Sequence, residues 1–151
     1  MQAAKPSEMA RKAWLGLLAK APASDLAALW QGLGIDPAHQ VLRTPEIGAV
    51  MVRGRAGAVG AAFNLGEMTV TRATVQLAEG AVGHGYVQGR NRDHALLAAL
   101  VDAMMQTDAA DHVARAVLDP LCEAMTARQS TRAAKAAATK VDFFTMVRGE
   151  D

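Results

Sequence analysis

The apolar residues of this chain change their period twice, and the changes mark out its elements. After Ser7, the residues Ala10, Ala13, Trp14, Leu17 and Leu18 fall on one helical face. After Ser24, Leu26, Leu29, Trp30 and Leu33 repeat the i, i+3, i+4, i+7 spacing of an amphipathic helix. Ser7 and Ser24 are the expected N-caps, since a serine hydroxyl accepts from the orphan amides of a first turn. Gly32 or Gly34 ends the second helix. A helical hairpin over 7–34 therefore opens the chain.

From about His39 the pattern becomes strand-like. Residues 41–44 form a short run that stops at Pro45, and 47–55 alternate and are rich in β-branched residues. Residues 54–60 are glycine-rich and read as a flexible turn. Strand-like runs follow at 61–65 and 68–77, then a Glu79-Gly80 turn, then 81–88. Four or five consecutive strands with short connections predict an antiparallel meander over 39–88.

Helix resumes at Asp93. Leu96, Leu97, Leu100, Val101, Met104 and Met105 leave only a thin polar stripe of His94, Asp102 and Gln106, the mark of a helix buried along most of its girth. Another helical pattern runs from His112, is interrupted at Pro120, and continues to Lys140. The expected fold class is α+β, a single domain over 1–151, with helices across 93–140 and an apolar tail at 141–151.

That tail is unusual. Chain ends are ordinarily polar and frayed, yet Val141, Phe143, Phe144, Met146 and Val147 crowd together here, followed by Arg148. Such a segment is buried either as a last strand of its own domain or as a docking segment on a partner subunit.

Composition narrows the classes. The chain has 151 residues, enough for one core burying roughly 68–70% of the unfolded surface. It is 51% hydrophobic but 4% aromatic, so Ala, Leu, Val and Met must fill the core. A net charge of +1 argues against a generic nucleic-acid partner, and no apolar run is long enough for a membrane span. The lone Cys122 excludes a disulfide framework and fits a reducing, cytoplasmic setting.

Two groups of arginines are candidate anion binders. In Gln88-Gly-Arg-Asn-Arg-Asp-His94, a strand gives way to a helix start, where free amides and the helix dipole favour a phosphate. Arg90, Arg92 and His94 would supply charge there; the plainer alternative is that Asn91 or Asp93 caps the helix and both arginines are solvated. Arg72, in the middle of a strand, has a planar fork suited to a phosphate or a partner carboxylate. The glycines of Gly83-His-Gly-Tyr-Val-Gln-Gly89 fail the dinucleotide fingerprint in spacing and context. The four histidines and Cys122 show no metal-ligand spacing, and no nucleophile–base pair is evident, so no catalytic residue and no metal ligand is assigned. Arg128, Arg132 and Lys135 form a basic stripe that either steers an anionic partner or is simply solvated.

Three strings carry a family resemblance: Phe63-Asn-Leu-Gly-Glu-Met-Thr-Val-Thr-Arg-Ala-Thr-Val-Gln-Leu77, Val82-Gly-His-Gly-Tyr-Val-Gln-Gly-Arg-Asn-Arg-Asp-His94, and Val141-Asp-Phe-Phe-Thr-Met-Val-Arg-Gly149. They resemble the small G subunit (PhnG) of the bacterial carbon–phosphorus lyase system. The resemblance implies an accessory subunit of a core complex with H, I and J subunits, two copies of each, acting with an ATPase-like L protein. It implies that the complex transfers the ribose triphosphate moiety of ATP to a phosphonate and releases adenine. ATP and phosphonate are then substrates of the complex, and this chain alone holds no cofactor. The family pattern commonly has a cysteine where this chain has Ala73, so no thiol mechanism is implied at that position. The competing classes are a stand-alone phosphate- or nucleotide-binding enzyme and a small binding regulator.

Overall fold

A computed structural model describes residues 8–57 and 59–141, with side chains from Arg11 onward. The order of elements is α1 (Glu8–Lys20), α2 (Ala23–Leu33), β1 (His39–Gly54), β2 (Phe63–Leu77), β3 (Val82–Gln88), α3 (Arg92–Met104), α4 (Ala110–Val113), a π-helical segment (Ala114–Leu118) and α5 (Asp119–Ala138). The α+β class holds, with one correction to the strand count. Among the described residues the sheet has three strands, in the order β1-β2-β3, with both neighbouring pairs antiparallel.

Two predicted breaks turn out to lie inside strands. Pro45 sits within β1, between Arg43 and Glu46, where the register to β2 shifts. Proline has no amide to give a ladder, so an edge strand tolerates it at an irregularity. Likewise the runs at 61–65 and 68–77 merge into β2, which begins at Phe63 and passes through Gly66 without interruption.

The cap of α2 is not the expected one. The N-cap of α2 is Pro22, whose carbonyl accepts from the amides of Asp25 and Leu26, while the Ser24 hydroxyl turns to the Asp25 carboxylate at 3.3 Å. Gly34, at φ 67°, closes α2 in the left-handed conformation that glycine adopts without strain. Ser7 lies outside the described residues. Pro120 does not interrupt its helix. The turn before it widens to π geometry, with the Asp119 amide donating to the Ala114 carbonyl, and this leaves room for the proline ring at the first turn of α5.

The core lies between the sheet and α3. On β2, Thr71, Ala73, Val75 and Leu77 are buried and face that helix, as do Gly83, Gly85 and Val87 of β3. A Cβ at Gly83 would run into the Ala99 carbonyl, and one at Gly85 into the Ala95 carbonyl. Ala95, Ala99 and Ala103 thus lay α3 directly on the backbone of β3. Trp14 and Leu18 of α1, Leu26 of α2, and Val113, Val117 and Leu121 complete the packing.

Asp102 ties this helix to the sheet edge. Its carboxylate, fully buried, accepts from Arg11 Nη2 at 2.7 Å and Nε at 3.1 Å, from Trp14 Nε1 at 2.9 Å, and from the backbone amide of His84 at 2.8 Å. Gln106 Nε2 donates to the Val82 carbonyl at 2.7 Å, and Arg11 Nη2 also reaches it. The outer edge of β3 is therefore occupied by side chains at Val82 and His84. By contrast, β3 pairs only with residues 70–76 of β2, so 49–54 of β1 and 63–69 of β2 project as a two-stranded ribbon.

Candidate functional site: an open sheet face and the arginine loop

Strand alternation sends every second side chain to the face away from α3. Arg72, Thr74 and Gln76 of β2 stand there, opposite Glu46, Arg43 and Gln40 of β1 and Tyr86, His84 and Val82 of β3. None of the described elements covers this face.

Its chemistry is polar and paired. Arg72 Nε donates to the Glu46 carboxylate at 2.9 Å, and Arg43 Nη1 donates to the same oxygen. The hydrogen bond from Arg43, helped by the charges of Arg72 and Arg43, holds the Glu46 carboxyl below its ordinary range. Thr74 Oγ1 lies 3.3 Å from His84 Nδ1. Glu46, Gly48, Val50, Val70, Arg72 and Tyr86 line a shallow cleft of about 130 Å³. With two guanidiniums around one carboxylate, the group keeps an excess positive charge at the surface, suited to an anionic ligand or a partner carboxylate.

Arg90 and Arg92 lie beyond the end of β3 and are exposed. The turn is fixed from below: the Gly89 amide donates to the Thr69 carbonyl at 2.9 Å, and Thr71 Oγ1 donates to the Gly89 carbonyl at 2.7 Å. Gly89 has φ 93°, which a side chain would disfavour. Asn91 caps α3, its side-chain oxygen taking the His94 amide at 2.9 Å. One amide of the helix start is thereby already used, while the arginines stay available.

His94 is placed elsewhere. It is buried, and its Nε2 hydrogen bonds to the Leu18 carbonyl at 2.9 Å, joining α3 to the end of α1. Burial pushes the imidazole below its ordinary pKa, against the opposing pull of that carbonyl. The ring is turned into the core, so it does not stand with Arg90 and Arg92 at the surface. The thin polar stripe of α3 is accordingly an internal fastening: His94 holds α1, and Asp102 and Gln106 hold β3. Its sequence signal was three polar positions on one side of an otherwise apolar helix.

Glu46, Arg43, His84 and Tyr86 join Arg72 on the open face, and sequence reasoning assigned none of them to a site with it. The signal was there in part, because His84 and Tyr86 alternate with two glycines. Arg128 of the basic stripe pairs with Asp25 of α2 at 3.0 Å. From Thr126 to the end of α5 every residue is exposed, and Val141 beyond it is 67% exposed. Phe143, Phe144, Met146, Val147 and Arg148 lie outside the described residues. No three His, Cys, Asp or Glu side chains cluster as metal ligands among the described residues, and no helix there is long and apolar enough to cross a membrane.

Comparison with known proteins places these features in a family. The family model for "Phosphonate metabolism protein PhnG" matches residues 9–149. A protein of Rhizobium meliloti (strain 1021), named alpha-D-ribose 1-methylphosphonate 5-triphosphate synthase subunit PhnG, is 44% identical over 155 residues, covering 100% of this chain and 99% of the relative. All three strings that carry the resemblance lie within the matched span, the apolar tail included. The chain belongs to the PhnG family.

Proposed function

We propose that this chain is an accessory, non-catalytic subunit of a synthase that transfers the ribose triphosphate moiety of ATP to a phosphonate, releasing adenine during phosphonate breakdown. The observation that carries the reading is the end-to-end match, at 44% identity, to a protein named as a subunit of such a synthase. The partners in this reading are the H, I and J subunits, with two copies of each, and the L protein acts alongside them in the cytoplasm. ATP and the phosphonate bind to the assembled complex, with no cofactor held by this chain alone.

Two surfaces fit the role of a subunit. The apolar residues Val141, Phe143, Phe144, Met146 and Val147, with Arg148, form the docking segment to a neighbouring subunit. Arg72, Arg90 and Arg92 lend positive charge toward an anionic ligand, where charge-assisted donors match phosphate oxygens. His94 serves the fold in this reading.

Reconstitution tests it. The H, I and J subunits with L, ATP and methylphosphonate should release adenine when this chain is present and not when it is omitted. Adenine release by the purified chain alone would overturn the accessory role, and undiminished release without it would overturn the assignment to the complex.

A further inference from the structure

The open face of the sheet changes character at Gly48. On one side stand Arg43, Glu46 and Arg72; on the other, Val50 and Val70 are apolar, and Tyr86 stands opposite Arg72. Gly48 falls between Glu46 and Val50 in the alternation of β1, and it pairs with Val70, which is 6% exposed. A Cβ at Gly48 would meet nothing within 4 Å, so the missing side chain is what opens the cleft. Tyr86 borders it with a side chain that is 48% exposed and makes no hydrogen bond among the described residues.

Volume decides which class of ligand fits. The cleft holds about 130 Å³, whereas sites for nucleotides and other small molecules run to roughly 300–1,000 Å³. At roughly 30 Å³ per water the space takes about four waters, the room of one aliphatic side chain. A small pocket with an apolar floor, bordered by Tyr and Arg, has the composition of an anchor site in a protein interface. The charge beside it points the same way. Arg72 is tied to Glu46 through Nε alone, so its two terminal nitrogens make no hydrogen bond among the described residues. Glu46 thus steadies the guanidinium and leaves the Arg43–Arg72 pair with one positive charge uncompensated. The terminal donors of a steadied guanidinium match the fork of a carboxylate.

We propose that the Gly48 cleft is the anchor site for a neighbouring protein subunit, which inserts one aliphatic side chain over Gly48 and Val70 and sets an acidic residue beside it on Arg72. This rests on the subunit reading above, and it makes the anion met by Arg72 a carboxylate of the neighbour. A phosphate is the poorer match. It gains nothing from Val50 and Val70, and its second charge would lie beside the Glu46 carboxylate.

The test uses the full chain, its Gly48→Val and Arg72→Ala variants, and the H, I and J subunits. Valine fills the cleft without backbone strain, because Gly48 lies in β1 and outside the left-handed region. Both variants should melt close to the parent, which separates a blocked cleft from a damaged fold. Gly48→Val should weaken binding to the subunits by more than about tenfold, the loss typical of a blocked hot spot. Arg72→Ala should weaken it about tenfold at low salt and less at high salt. Amide exchange at 47–50 of the parent should slow when the subunits are added. Parental affinity in both variants would overturn the cleft and keep the subunit reading. Slowing of that exchange by ATP or inorganic phosphate alone would assign the cleft to a small anion; slowing with the chain's own concentration would assign it to a second copy. Either overturns the proposal. A parent chain that binds none of the three subunits overturns both the cleft and the reading. Cleft-dependent binding in a complex that releases no adenine keeps the cleft and overturns only the assigned reaction.

Discussion

Arg11 of α1 and Asp102 of α3 meet in a two-pronged ion pair, at 2.7 and 3.1 Å, that also seals one edge of the sheet. The carboxylate is fully buried, whereas the arginine side chain is 34% exposed. The relationship is therefore asymmetric. Removing the acid leaves Trp14 Nε1 and the His84 amide without their partner inside the protein; removing the arginine leaves a buried carboxylate that keeps two other hydrogen bonds but no counter-charge.

Asp102→Ala should cost about 3–5 kcal/mol, the range for breaking a buried pair by deleting one partner. Arg11→Ala should cost a comparable amount, because it leaves the fully buried carboxylate without its counter-charge. Urea unfolding of both variants beside the parent measures the losses. Equal, small losses would show that Asp102 is not the fastening described.

Gly83→Ala and Gly85→Ala should each lose about 3 kcal/mol or more, since each new methyl group meets a helix carbonyl that cannot withdraw without lifting α3. Gly48→Ala meets nothing within 4 Å and serves as the control. Thermal melts of the three proteins decide the matter, and a soluble Gly85→Ala protein with parental stability would refute backbone-to-backbone packing.

His94 gives the fold a pH dependence of known sign. Its folded-state pKa lies below the ordinary value of about 6.5 because burial disfavours the charged ring. As pH falls through that ordinary value, the unfolded chain takes up a proton that the folded chain refuses, so stability declines. Above it, both states are neutral and the effect vanishes. Melting temperatures at pH 7.5 and 5.5 should therefore diverge more for the parent than for His94→Gln. Parallel slopes would remove His94 as the cause.

Arg90→Ala and Arg92→Ala should slow adenine release by the reconstituted complex about tenfold each, the order expected for losing a charge-assisted hydrogen bond. Gel filtration should show the assembly intact. Unchanged kinetics would return both arginines to solvent.

Much of the fold was legible because periodicity reports burial. The N-terminal hairpin and the buried α3 follow from apolar spacing, and Gly34 is one of the two glycines expected to end α2. The strand count was not, because Pro45 and Gly66 carry breaker signals that an edge strand and its paired neighbour absorb. The cap of α2 was missed because it has no side-chain hydrogen bond: Pro22 offers only its carbonyl to the first helical amides, which no side-chain preference announces. Of the candidate site, Arg72, Arg90 and Arg92 stand at the surface as their sequence context suggested. Glu46 was invisible beside Arg72, since its partnership arises from strand register, 26 positions apart in sequence. The inward turn of His94 was not legible, because a helix start is as good a place to turn a ring inward as outward.

The alternation of Gly83, His84, Gly85 and Tyr86 separates two kinds of constraint along a single strand. Substitution at the glycines is constrained by what the helix above them allows. Substitution at His84 and Tyr86 touches no packed atom of the interior, so a change there would alter the outer surface and leave the packing under α3 in place. Framework and recognition are thus separable within one strand, residue by residue.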